Sequence, residues 1–88
     1  MNAADFSAQL RKEGFTTLTE VDREPNGGIG LHGHPFQAKA LILQGELSLV
    51  VDGTETHYRA GDVFELSYEQ QHTERYGPEG VKYLVGRK

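Results

Sequence analysis

The sequence predicts an all-β fold, a small sandwich or barrel with one short N-terminal helix. Three observations predict it. From Phe15 onward the chain runs in short segments rich in Thr, Val, Leu and Tyr. Turn residues interrupt those segments at roughly eight- to twelve-residue intervals. Only Ala3 to Glu13 carries its apolar residues at helical spacing.

Taken in order, the helix expected over residues 3–13 has Asn2 or Asp5 to cap its start. Phe6 and Leu10 form one narrow apolar stripe, and Gly14 closes the end. Phe15 to Val21 reads as the first strand, and Arg23 to Gly28, REPNGG, carries loop chemistry throughout. Ala38 to Gln44 and Glu46 to Val51 read as strand on either side of Gly45, which marks a bend or bulge. Asp52-Gly53 is a strong hairpin signal and leads into a strand over Thr54 to Arg59. Ala60 to Asp62 turns the chain into Val63 to Leu66. Gln71 to Tyr76 and Val81 to Val85 complete the set, separated by Gly77-Pro78-Glu79-Gly80. No internal repeat, linker or low-complexity stretch divides the chain. The expectation is one domain over residues 1–88, with the barrel core at about 15–86.

Composition narrows the function classes. An 88-residue domain has a small core, burying roughly 60% of its unfolded surface. Disulfides, a metal or self-association commonly supplement such a core, and the absence of cysteine excludes disulfides and thiolate metal sites. The net charge of −4, with no run of Lys or Arg, argues against nucleic acid as the main partner. The N-terminal stretch has two acids and no continuous apolar core, unlike a secretory signal. No apolar run approaches the roughly 20 residues that span a bilayer. A cytoplasmic protein without a membrane partner is expected.

His32 and His34 stand two apart, so on a strand they share a face. If they face inward, so do Phe36, Ala38, Ala40 and Ile42, and the opposite face carries Gln37, Lys39, Leu41 and Leu43. Leu41 and Leu43 then need cover outside the barrel, from the N-terminal helix or from a second copy, and a homodimer is expected. The histidine pair is either an exposed edge feature or half of a metal site. His72, at the start of another strand, offers a third imidazole, but spacing alone does not bring the three together. The segment GIGLHG, Gly28 to Gly33, matches a dinucleotide-binding glycine pattern, yet no helix follows it and the chain is too short for that fold. Its glycines are read instead as letting the chain turn into the ligand-bearing strand.

The stretches around His32-x-His34 and around His72 resemble the two sequence motifs of the cupin superfamily. His32 and His34 occupy the paired histidine positions of the first motif, and Gly45 its closing glycine. Ala38 stands where the family has a glutamate. Gly61 and His72 fit the first glycine and the histidine of the second motif, with Ser67, Glu69 and Tyr76 in place of proline, glycine and asparagine. The phrases QGEL and RAGDV and the hairpin between the motifs are similar to the family as well, so the resemblance covers about residues 27–85.

The resemblance implies a small cupin barrel, a double-stranded β-helix or jelly roll. It also implies one divalent metal ion per chain on His32, His34 and His72, with iron, zinc, nickel, manganese or copper all compatible with imidazole. With Ala38 unable to coordinate, three neutral ligands would leave open positions and uncompensated positive charge, suited to a small anionic or oxygen-rich molecule. Several cupin-type enzymes, thiol dioxygenases among them, use three histidines alone. The implied function is therefore a metal-dependent enzyme, of the dioxygenase or another kind, or a non-catalytic module that binds or senses a small ligand or dimerises. Glu74 and Tyr76 share the parity of His72 and are the candidates for proton handling, with Glu74 also in reach of the ion. Gln37 would reach it only if Pro35 introduced a bulge. His57 reads as a surface histidine.

Overall fold

Asn2 starts the only helix. Its side-chain carbonyl accepts the Asp5 amide at 2.8 Å, and α1 runs Ala3–Lys12 with Glu13 as its C-cap. The computed structural model describes residues 1–88. Six strands follow: β1 (Thr17–Arg23), β2 (Gly28–His32), β3 (Ala38–Val51), β4 (Thr54–Arg59), β5 (Val63–Leu66) and β6 (His72–Arg87). All pairings are antiparallel, in the order β1-β6-β3-β4, with β2 added to β6 and β5 to β3. No helix is long and apolar enough to cross a membrane.

Gly45 lies inside one strand rather than between two. It has a φ of 75°, and the β3–β6 register shifts on both sides of it. A Cβ there would collide with the carbonyl of Gly80 on β6, which also has a φ of 75°. The two glycines let the long strands bend together, which curls the sheet around its core.

The four-residue break expected at Gly77–Gly80 is absent, because β6 passes through it. Its first half pairs with β2 and the end of β3, and its second half with β1 and the start of β3. Cross-strand pairing overrides the local turn chemistry of Gly-Pro-Glu-Gly. The other correction runs the opposite way. Strand structure stops at His32 and resumes at Ala38, so no unbroken strand alternation runs from His32 to Ile42, although Phe36, Ala38, Ala40 and Ile42 do face the inner core and Leu41 and Leu43 the outer cluster. The first strand also starts and ends two residues later than its sequence signature, with Phe15 packing as a buried anchor before it.

Two apolar clusters hold the molecule. Inside the barrel, Ala38, Ala40, Ile42, Leu47, Leu49, Phe64 and their neighbours form the main core. Outside it, Phe6 and Leu10 of α1 pack with Phe15 on Leu41, with Leu43 at the margin. Each such side chain contributes roughly 1.5–3 kcal/mol on burial. The helix thus covers the outer apolar face of β3 within one chain, and that face does not call for a second copy. The Lys39 ammonium meets Glu13 at 2.8 Å, and Lys88 donates to the Glu13 carbonyl at 2.7 Å, tying the helix end to the barrel. Lys39, then Gln9, hydrogen-bond the Glu13 carboxylate and hold its pKa below the usual value.

Candidate metal centre

The site begins with an irregularity in β2. Ile29 pairs with Glu74 and His32 with His72, so three steps along β2 match two along β6. Ile29 packs against the barrel core. On a regular strand a residue three positions later would face outward. The extra residue re-aims His32 inward and leaves Leu31 71% exposed on the outside. The same distortion brings the Gly30 carbonyl to 2.6 Å from His32 Nδ1.

His34 stands on the segment between β2 and β3. Its backbone carbonyl accepts the Glu69 amide at 2.8 Å, which ties it to the loop that precedes His72. Its ring stacks on Phe36, with centroids 5.0 Å apart and planes 16° apart. Close approach of the two loops requires Gly33, where a Cβ would meet the Glu69 carbonyl at 2.9 Å. Thus His34 faces the cluster as the sequence anticipated, but a loop rather than strand alternation positions it.

His72 opens β6 and is fully buried, with Nδ1 3.0 Å from the Gln70 carbonyl. Two residues on, Glu74 turns to the same side. Its Oε2 lies 3.1 Å from His72 Nε2 and 3.2 Å from His32 Nε2. Its Oε1 accepts the Tyr76 hydroxyl at 3.1 Å. One ligand atom from each of His32, His34, His72 and Glu74 falls within 4.8 Å of all the others.

The hydrogen bonds decide what this cluster can do. A carbonyl oxygen only accepts, so His32 and His72 each carry a proton on Nδ1. A neutral ring then presents a bare Nε2, and both bare nitrogens face an oxygen of the same carboxylate. Nitrogen and oxygen acceptors so close are reconciled either by a second proton on the ring, which makes the contact an ion pair, or by a metal ion among them. His32 Nε2 is buried and has no hydrogen-bond partner, a costly condition that an ion at the centre would relieve. Backbone carbonyls behind the rings fix their tautomers, as outer-shell partners of metal-binding histidines commonly do. Partial burial, followed by the neighbouring His32 and His72, holds the His34 pKa below the ordinary 6.5, which favours the neutral, ligating form. Burial, and then Glu74, pushes the Tyr76 phenol up, so it stays a donor to the carboxylate.

The cluster opens onto a cavity of about 70 Å³ whose walls include His34, Glu74, Phe36 and Ala38. Ala38 is buried there without a polar atom to offer. The one carboxylate in this wall is that of Glu74 on β6, which shares the parity of His72. Gln37 stands apart: its backbone pairs with Lys88, and its side chain donates to Glu65 at 3.3 Å. His57 lies on the outer face between Ser48 and Glu46, at 2.9 and 3.2 Å. Tyr76 is buried behind Glu74 and is not part of the cavity wall. Sequence reasoning missed Arg23 and Arg87, which also line the cavity. The signal was present, since Arg23 follows the parity of Val21, and Arg87 that of Tyr83 and Val85.

Comparison with known proteins agrees with this architecture. A double-stranded β-helix protein from Klebsiella pneumoniae is 26% identical, with a TM-score of 0.68 over 80% of this chain and 64% of that one. The polyketide cyclase RemF from Streptomyces resistomycificus is 25% identical, with a TM-score of 0.69 over 81% of this chain and 53% of the cyclase. An RmlC-like cupin from Shewanella frigidimarina, 18% identical, shares the fold with a TM-score of 0.69 over 81% of this chain and 64% of its own. The chain therefore spans between 53% and 64% of the length of these relatives. Among curated protein sequences none matches. The family profile of the cupin domain matches residues 19–85, most of the chain and every strand that builds the site, and the protein belongs to the cupin family.

Proposed function

We propose that this protein holds one divalent metal ion on His32, His34, His72 and Glu74 and presents it to a small anionic or oxygen-rich ligand in the adjoining cavity. The observation that carries this reading is the pair of bare Nε2 atoms facing one Glu74 oxygen, with His32 Nε2 buried and unpartnered. Three neutral imidazoles and one carboxylate carry a single negative charge. A divalent ion would leave the site net positive and attractive to an anion. When bound, the ion would supply Lewis acidity toward an oxygen of the ligand. The protein's own groups orient and enclose: Tyr76 holds the Glu74 carboxylate, the carbonyls of Gly30 and Gln70 hold two rings, and Phe36 and Phe64 exclude water from the cavity.

The small cavity favours a second reading, a binding or sensing module without turnover. Likeness to a polyketide cyclase supports an oxygen-rich ligand for either reading. Oxygen uptake by iron-loaded protein with thiols, diketones and flavonol-type compounds separates the two, because sustained uptake with any of them rejects a pure binder. Ligation by neutral imidazoles predicts metal loss as pH falls through about 6. Full retention of the ion at pH 4 would contradict histidine ligation. A homodimer is proposed on the small size of the core alone, and sedimentation velocity tests it.

A further inference from the structure

Arg87 ends β6 with its guanidinium over the Phe36 ring, Cζ lying 4.7 Å from the centroid. Its Nε is buried and has no hydrogen-bond partner. Arg23 ends β1 and lines the same cavity as Glu74. Neither guanidinium belongs to any ion pair of the protein. Glu74 is the only carboxylate in the cavity wall; its Oε1 accepts the Tyr76 hydroxyl and its Oε2 faces both histidine rings, and neither oxygen is ion-paired to a guanidinium. The remaining wall is mostly apolar, including Val21, Ile29 and Phe64.

The half-buried Arg87, with its buried unused donor, and the more exposed Arg23 beside Tyr83 place two positive charges at one mostly apolar cavity, a receptor for an anion. A guanidinium presents parallel N–H donors that match the two oxygens of a carboxylate, and stacking on Phe36 restricts its orientation. His34 stacks on the same phenyl ring, so Phe36 links the histidine cluster to Arg87. We propose that Arg87, assisted by Arg23, binds the carboxylate of the ligand, and that the ligand is a small carboxylic acid whose second oxygen reaches the metal centre. The carboxylate contact deepens the proposed function, and the second contact rests on it.

The test titrates pyruvate and levulinate, with pyruvamide and methyl levulinate as uncharged counterparts, into metal-free and zinc-loaded protein by calorimetry. Zinc content is measured separately by elemental analysis. At least one acid should bind at least tenfold more tightly than its uncharged counterpart. Arg87→Met should weaken that acid at least tenfold while leaving zinc per chain unchanged, and Arg87→Lys should restore part of the loss. Should Arg87→Met not fold, Arg23→Met is read in its place, with a weaker but same-signed loss expected. Equal binding of acid and uncharged counterpart, no binding of either acid, or an acid affinity indifferent to the arginine variant overturns the proposal. Arginine-dependent binding to protein that takes up none of zinc, iron, nickel, manganese and copper would sustain the carboxylate site and reject the metal reading, so the two failures are distinguishable.

Discussion

His32 and His72 sit directly opposite each other across β2 and β6, with ring centroids 4.2 Å apart. The pairing exists because β2 carries one residue more than β6 between its Ile29 and His32 contacts. It places both Nε2 atoms beside the same Glu74 oxygen. The geometry of the histidine cluster is a consequence of strand register.

Tyr76 holds Glu74 through a single hydrogen bond of 3.1 Å. Removing it in Tyr76→Phe leaves one carboxylate oxygen without its donor, at a cost of about 1.5–3 kcal/mol for a bond to a charged group. Metal affinity should fall by roughly 10- to 100-fold, the usual effect of losing an outer-shell partner. A chelator competition titration measures it, and an unchanged affinity would mean that Tyr76 serves only packing.

Phe6 is 1% exposed and packs on the outer face of β3, away from the histidines. Phe6→Ala should cost about 3–5 kcal/mol, a large share of the roughly 5–15 kcal/mol typical of a domain. Urea unfolding reads the loss. Any folded protein should still take up its full complement of metal, because the helix cluster and the site share no residue.

Tyr83 predicts the alkaline limit. Burial, and then Glu74, raises its folded pKa above the ordinary value of 10. Above pH 10 the unfolded chain therefore loses this proton while the folded chain keeps it, so stability falls as pH rises through that range. Below pH 10 the group is neutral in both states and contributes no slope. Urea midpoints measured between pH 9 and 11 should decline, and Tyr83→Phe should flatten the decline. A decline of equal steepness in the variant would assign it to other groups.

What was legible in the sequence was local or family-borne. Asp52 and Gly53 both adopt positive φ, as the hairpin signature requires, and β4 and β5 begin and end where their turn residues place them. Gly45 was recognisable as a bend or bulge because it interrupts an otherwise continuous strand pattern. The three histidines were grouped by resemblance, and Glu74 was drawn in by its parity with His72. What was not legible depends on partners. The continuity of β6 through Gly77–Gly80 comes from pairing with β1, β2 and β3, which no local window contains. The bulge that turns His32 inward is a mismatch between two strands and has no signature in either alone.

The most direct test of the central claim is elemental analysis of untagged protein, set beside His72→Ala and Glu74→Gln. The account predicts close to one divalent ion per chain, lost in His72→Ala and held at least tenfold more weakly in Glu74→Gln. Metal-free protein that takes up no divalent ion on reconstitution, or that binds it equally well in both variants, would contradict it.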